Sequence, residues 1–283
     1  MRSLLVLFVA FVATTAHAKP KRWETLPLPP PMPKAATTGS VTHDGAKIYY
    51  ATYGDATRPP VVLLHGGMGN SDHFGFQMPA LVDKFWVIVV DSRGQGRSSL
   101  SKGGLTYHAM GTDVLAVMDT LKVTKTSLAG WSDGGAIALD LAITAPDRVN
   151  RVFMIGTNYD MKGSKPRKGK PPAATFSLYA AKCKRDHLKF GNKPASWKAL
   201  IEALSPVWRN SAGITKEKLR AIQAPTLVAL GDHDEIVERA QIEEMGTLIP
   251  NGSVKIFTDT SHFAMWQDPE SVNAALVEFL AAK

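Results

Sequence analysis

Thr126-Ser127-Leu128-Ala129-Gly130-Trp131-Ser132-Asp133-Gly134-Gly135 carries the chain from an apolar run into a helical one, with a single serine at the corner. Thr126 to Ala129 reads as a short strand. Asp133 to Thr144 reads as a helix that stops before Pro146. A serine between two such elements sits on a strained turn that lifts its hydroxyl above the sheet, and the flanking glycines let neighbouring backbones approach. G-x-S-x-G alone is weak evidence. The same letters following a strand, opening a helix and extended to G-W-S-D-G-G are strong evidence.

Outward from this corner the pattern repeats. Val41 to Tyr53 reads as a hairpin turning at Asp44-Gly45. Val61 to Leu64 and Trp86 to Val90 are buried strands, and Arg151 to Gly156, Thr226 to Gly231 and Val254 to Phe257 are further candidates. Met110, Val114, Val117, Met118 and Leu121 fall on one face of a helix between Thr106 and Leu121. Asp268-Pro269 caps a last helix whose apolar face is Val272, Leu276, Phe279 and Leu280. Continuous apolar strands alternating with amphipathic helices specify an α/β fold, a mostly parallel sheet with helices on both faces. No internal repeat and no G-x-G-x-x-G is present, so neither a solenoid nor a dinucleotide site is indicated.

At 283 residues, 45% hydrophobic and 20% charged, the chain has the composition of an ordinary globule. One cysteine, Cys183, excludes an internal disulfide framework and a thiolate zinc cage. Arg2, ten apolar residues from Leu4 to Ala13 and Ala16-His17-Ala18 form the pattern of a signal peptide at 1–18, cleaved before Lys19. Ten apolar residues fall short of the ~20 that span a bilayer, so no stable membrane anchor is expected. Residues 19–36 are a proline-rich leader, read as an extended, semi-rigid spacer. The domain proper is 37–283, and the expected destination is the periplasm or the medium.

Serine needs a base that is itself oriented by an acid. Gly231-Asp232-His233-Asp234 and Ser261-His262-Phe263 both follow apolar strands, at the carboxyl ends where open α/β sheets build their sites. His262 would take the Ser132 proton, and Asp234 would hold the imidazole. His65-Gly66-Gly67 after the early strand supplies backbone donors. The N–H groups of Gly67, with Met68 as the alternative, and of Asp133 would form an oxyanion hole, while His65 reads as a structural hydrogen-bonder.

These stretches resemble the α/β-hydrolase superfamily in the H-G-G, D-x-R-G-x-G-x-S, G-W-S-D-G-G, G-x-x-D and S-H pattern, over about residues 37–156 and 222–283. The elbow is most similar to the serine-nucleophile biphenyl hydrolase-like (valacyclovirase-like) and carboxylesterase branches. The resemblance puts the acid at Asp234 rather than Asp232, makes Asp91 to Ser98 a structural turn, and implies no metal and no cofactor. It also implies that Ser132 sets the chain apart from the epoxide hydrolases and haloalkane dehalogenases, which use aspartate.

Between Thr157 and Ala224 the strand rhythm stops. In the fold the resemblance implies, this is a cap inserted between the sixth and seventh strands. Residues 161–200 hold eleven Lys and Arg against one acid, Asp186, a local +10 within a chain of net +8. This charge either draws anionic substrates or is the solvated face of a lid. No nucleic-acid-binding motif accompanies it. Trp131, Trp197, Trp208 and Trp266 are candidates for an acyl pocket, and Cys183 for a buried bystander. The Asp133 side chain is read as a helix-start carboxylate, or more sharply as a partner for a substrate ammonium. The expected activity is hydrolysis of small or medium carboxylic esters through an acyl-enzyme on Ser132, ahead of lactones, amides and C–C bonds. The competing class is an idle fold used for binding. The oligomeric state is not legible. N-terminal sequencing of exported protein is expected to begin at Lys19; an intact Met1 outside the cytoplasm would end the signal-peptide reading.

Overall fold

The computed structural model describes residues 20–282 apart from 167–168, 170–171, 192–193 and 211–212. The expected signal peptide and its cleavage point lie outside the described residues. Eight strands form one sheet in the order β1-β2-β4-β3-β5-β6-β7-β8. They are β1 (Thr37–His43), β2 (Ala46–Tyr53), β3 (Pro60–Leu64), β4 (Trp86–Val90), β5 (Thr126–Trp131), β6 (Val149–Ile155), β7 (Thr226–Gly231) and β8 (Gly252–Phe257). The β1–β2 hairpin and its β2–β4 junction are antiparallel, and every other pairing is parallel.

The period-two geometry of a strand divides each apolar run between two cores. Val62, Leu64, Ile88, Val90, Leu128, Met154 and Val228 belong to one cluster. Their chain neighbours Val61, Leu63, Val87, Val89, Ala129, Phe153 and Ala229 belong to the other. The helices are α1 (Met78–Leu81), α2 (Tyr107–Thr120), α3 (Asp133–Thr144), α4 (Ala174–Lys189), α5 (Pro194–Asn210), α6 (Lys216–Arg220), α7 (Arg239–Leu248), α8 (Ala264–Gln267) and α9 (Pro269–Ala281). Helices α2, α3 and α7 cover the first face through Met110, Val114, Ile137, Leu141 and Ile242. Helices α1 and α9 cover the second through Met78, Leu81, Val272, Leu276 and Leu280. Asp268 caps α9 by accepting from the Ser271 N–H at 3.3 Å. The segment between β6 and β7 holds α4, α5 and α6 and sits over the carboxyl ends of the strands, with Tyr179, Leu200 and Leu204 in the second core.

The leader differs from its reading as a spacer. Its prolines keep it extended, but it is bound along its length. Arg22 donates to the carbonyls of Thr258 (2.8 Å) and Asp259 (3.1 Å) and pairs with Asp268 at 3.2 Å. Gln267 donates to the Thr25 carbonyl at 2.7 Å, Trp23 stacks on His233, and Leu26 and Met32 pack on the second core. A short 3-10 turn at Arg22–Glu24 presents Arg22 and Trp23 to the domain, and the extended stretch after it lays Leu26 and Met32 on the second core, so the segment acts as a strap. Deleting residues 20–34 is therefore expected to lower Tm by several degrees, since ~1 kcal/mol shifts a domain of this size by ~2–4 °C. An unchanged melting curve would restore the spacer.

Candidate active site

Ser132 has φ 55° and ψ −118°, a region that L-residues with a Cβ rarely occupy. The surroundings hold it there. The Ser132 N–H donates to Ile155 O at 2.9 Å, and the Thr157 hydroxyl donates to Ser132 O at 2.9 Å. A Cβ at Gly130 would strike the Gly134 backbone, and one at Gly134 would strike Leu64 O, so both glycines are required by close approach.

Asp234, on the loop after β7, is buried and meets His262 Nδ1 at 2.9 Å through Oδ2. Its Oδ1 accepts from the N–H groups of Ile236 and Val237, both at 2.8 Å. Asp232 does not reach His262; it is exposed and accepts from the Thr260 N–H at 3.2 Å. Trp131 Nε1 donates to His262 O at 2.9 Å, and the His262 N–H donates to Glu235 Oε2 at 3.0 Å. Burial disfavours the imidazolium, but the charge and hydrogen bond of Asp234, with Glu235 and Asp133 beyond, outweigh it and hold the His262 pKa above its ordinary value. Ser132 and His262 line the same cavity of about 780 Å³, although no hydrogen bond joins them among the described residues. Such contacts often tighten only when substrate is bound.

Gly66, Gly67 and Met68 line the same cavity. The Gly69 N–H donates to Gly66 O at 3.0 Å, closing a tight turn with Met68 at φ 65°. Because the Gly66–Gly67 peptide is planar and trans, a carbonyl drawn into the turn sends the Gly67 N–H outward. As the first residue of α3, Asp133 has an N–H without an intrahelical acceptor. His65 is fully buried, with Nδ1 at 2.8 Å from Gly66 O and Nε2 accepting from the Ser92 N–H at 3.0 Å, a structural arrangement that burial keeps neutral.

The Asp133 side chain sits in the first turn of α3 as read, but its oxygens are taken up by the protein's own donors. Its Oδ1 accepts from Tyr107 OH and its Oδ2 from Trp208 Nε1, each at 2.9 Å, so it fastens the cap to the elbow. Burial pushes its carboxyl pKa up, with these two bonds opposing. Of the tryptophans, Trp131 and Trp208 line the cavity, Trp197 packs against His187, and Trp266 is core. Cys183 is buried, and burial pushes its thiol pKa up, so it is not placed for pairing between molecules.

Three residues near the site were not singled out by pattern. Tyr179 OH donates to Gly67 O at 2.8 Å, the Thr175 hydroxyl donates to Glu235 Oε1 at 2.7 Å, and Lys165 Nζ donates to Asp234 O at 2.6 Å. All come from the insertion, whose spacing carries no signature of what it touches.

Residues 59–191 match the family model described as the alpha/beta hydrolase fold. The chain is 26% identical over 255 residues to a dihydrolipoyllysine-residue acetyltransferase component of the acetoin cleaving system from Cupriavidus necator (84% of this chain, 67% of that one). It is 33% identical over 126 residues to 3-oxoadipate enol-lactonase 2 from Acinetobacter baylyi, covering 44% of this chain and 47% of the lactonase. Among solved structures, Est816, described as an N-acyl homoserine lactone degrading enzyme, superimposes with a TM-score of 0.71 at 29% identity, over 85% of this chain and all of that one.

A base acts when neutral, so a raised His262 pKa moves the acid limb of a kcat/KM profile upward. The rate is expected to rise with pH through a group titrating above ~6.5. Asp234→Asn should shift that limb down and cost roughly 10⁴-fold in rate by favouring the wrong tautomer. Asp232→Asn should do neither, and the reverse ranking would move the acid.

Proposed function

Because this chain belongs to the α/β-hydrolase superfamily and is a hydrolase of that fold, we propose that it cleaves carboxylic esters through an acyl-enzyme on Ser132. The observation that carries this reading is the buried Asp234–His262 pair, which shares a cavity with a serine held at φ 55°. Ser132 Oγ attacks the ester carbonyl as His262 Nε2 takes its proton. Asp234 keeps the Nδ1 proton in place and stabilises the imidazolium. The oxyanion is held by the N–H groups of Asp133 and Gly67, each such donor contributing roughly 10²–10³ in rate. The imidazolium then protonates the leaving alcohol. Water, deprotonated by the same imidazole, attacks the acyl-enzyme, releases the acid and restores Ser132.

A second reading has its own support. Two proteins similar to this chain carry lactone chemistry in their descriptions, and a lactone is an ester whose alcohol stays tethered to the acyl group. The same residues would open it by the same steps. An idle binding module is disfavoured, because serine, base, acid and both donor segments persist together. Export of the activity is proposed on the 1–18 pattern.

The test is labelling by a fluorophosphonate, which requires an activated serine, together with rates on p-nitrophenyl esters and lactones of graded length. Ser132→Ala and His262→Ala are each expected to lose turnover by ~10⁴-fold or more, because such residues act as a unit. Wild-type rates in Ser132→Ala would defeat the assignment.

A further inference from the structure

The cavity wall carries charges of both signs, and they differ in how far the protein has already engaged them. Both carboxylates are satisfied. Asp133 accepts from Tyr107 and Trp208, one bond on each oxygen, and Glu235 accepts from Thr175 and the His262 N–H in the same way. The cations are not. Lys165, half-buried in the wall, and Arg209, exposed at it, form no ion pair with any described residue.

Lys165 is also fixed in place. Its backbone N–H donates to Ile236 O at 2.7 Å, and the neighbouring Ser164 forms an antiparallel bridge with Val237. Its Nζ spends one proton on the Asp234 carbonyl. An ammonium carries three donors, so two remain for a ligand. A partly desolvated cation without a counter-charge is costly, and an anion entering the cavity would relieve that cost. Exposed cations of the same insertion, among them Lys162, Lys184 and Arg185, add a long-range field that favours anions.

We propose that Lys165 is a specificity residue for a carboxylate on the substrate, remote from the scissile bond, so that the substrates are esters or lactones bearing a free acid. This rests on the ester reading above. Lys165 also braces the backbone of the acid loop, so its loss should slow every substrate. What identifies recognition is a further loss confined to charged substrates.

The experiment uses two pairs of esters that differ in a terminal carboxylate. p-Nitrophenyl hemiglutarate against p-nitrophenyl valerate places it on the acyl side, and 4-butyryloxybutanoate against butyl butyrate places it on the alcohol side. Wild-type protein should prefer the charged member of at least one pair, and the preference should shrink as salt screens it. Lys165→Met should cut kcat/KM for that member at least tenfold more than for its neutral partner, mainly through KM, and Lys165→Arg should retain most of the preference. No preference in the wild type, or equal losses on charged and neutral members of both pairs, would overturn the proposal. A readout independent of turnover separates it from the ester reading: glutarate binding to Ser132→Ala, followed by tryptophan fluorescence, with and without Lys165→Met. Binding that depends on Lys165 supports the subsite even where no ester is hydrolysed, and equal affinity in the two proteins refutes it.

Discussion

The backbone of Ser132 is the constraint on which the rest of the site depends. A residue with a Cβ held at φ 55° stores roughly 1–3 kcal/mol of strain and persists only where its neighbours over-determine it. Here they do so in three directions. β6 accepts its N–H through Ile155, Thr157 binds its carbonyl, and the absence of side chains at Gly130 and Gly134 lets α3 start against β5 and β3. Any residue but glycine at those two places would push apart elements that the sheet order requires to be adjacent. The strained turn thus places the hydroxyl at the carboxyl edge of the sheet, where the loops after β3, β7 and β8 bring the remaining groups.

What the sequence disclosed follows from that geometry. Elements with strong period, such as the Met110–Met118 face of α2 or the paired faces of β3 and β4, are legible because burial imposes their spacing. Asp234, His262 and the Gly66–Met68 turn, the proposed acid, base and donor loop, are legible because each sits where a strand ends. Asp234 and Asp232 differ by two positions in a loop, and only one can reach His262, which local composition does not reveal. The strap formed by residues 20–36 was illegible for a related reason: proline content fixes an extended backbone but says nothing about whether a domain lies beside it.

The insertion is where sequence reasoning reached least, although most of its charge does form a solvated face, one of its two readings. Most of its cations among the described residues face solvent, and Lys182 is spent on Asp186, which also meets the buried His73. The contacts that matter are single side chains at irregular positions. Tyr179 fixes the carbonyl of Gly67, Trp208 the carboxylate of Asp133, Thr175 the glutamate beneath the His262 backbone, and Lys165 the carbonyl of Asp234. Each part of the proposed machinery is therefore touched by the segment that also walls the cavity.

That arrangement links specificity to reactivity. A cap that only covered the cavity could change its lining without disturbing the chemistry below. One hydrogen-bonded to the donor loop, the elbow and the acid loop cannot move without shifting groups whose contribution depends on placement within a fraction of an ångström. The carboxylate of Asp133 shows the consequence most directly. Its position beside the nucleophile invites a role in recognising a cation, yet one oxygen already holds the cap through Trp208, the other holds α2 through Tyr107, and burial disfavours its charge. The negative groups in the wall serve to hold the structure together, which leaves the electrostatic character offered to a ligand to Lys165 and Arg209.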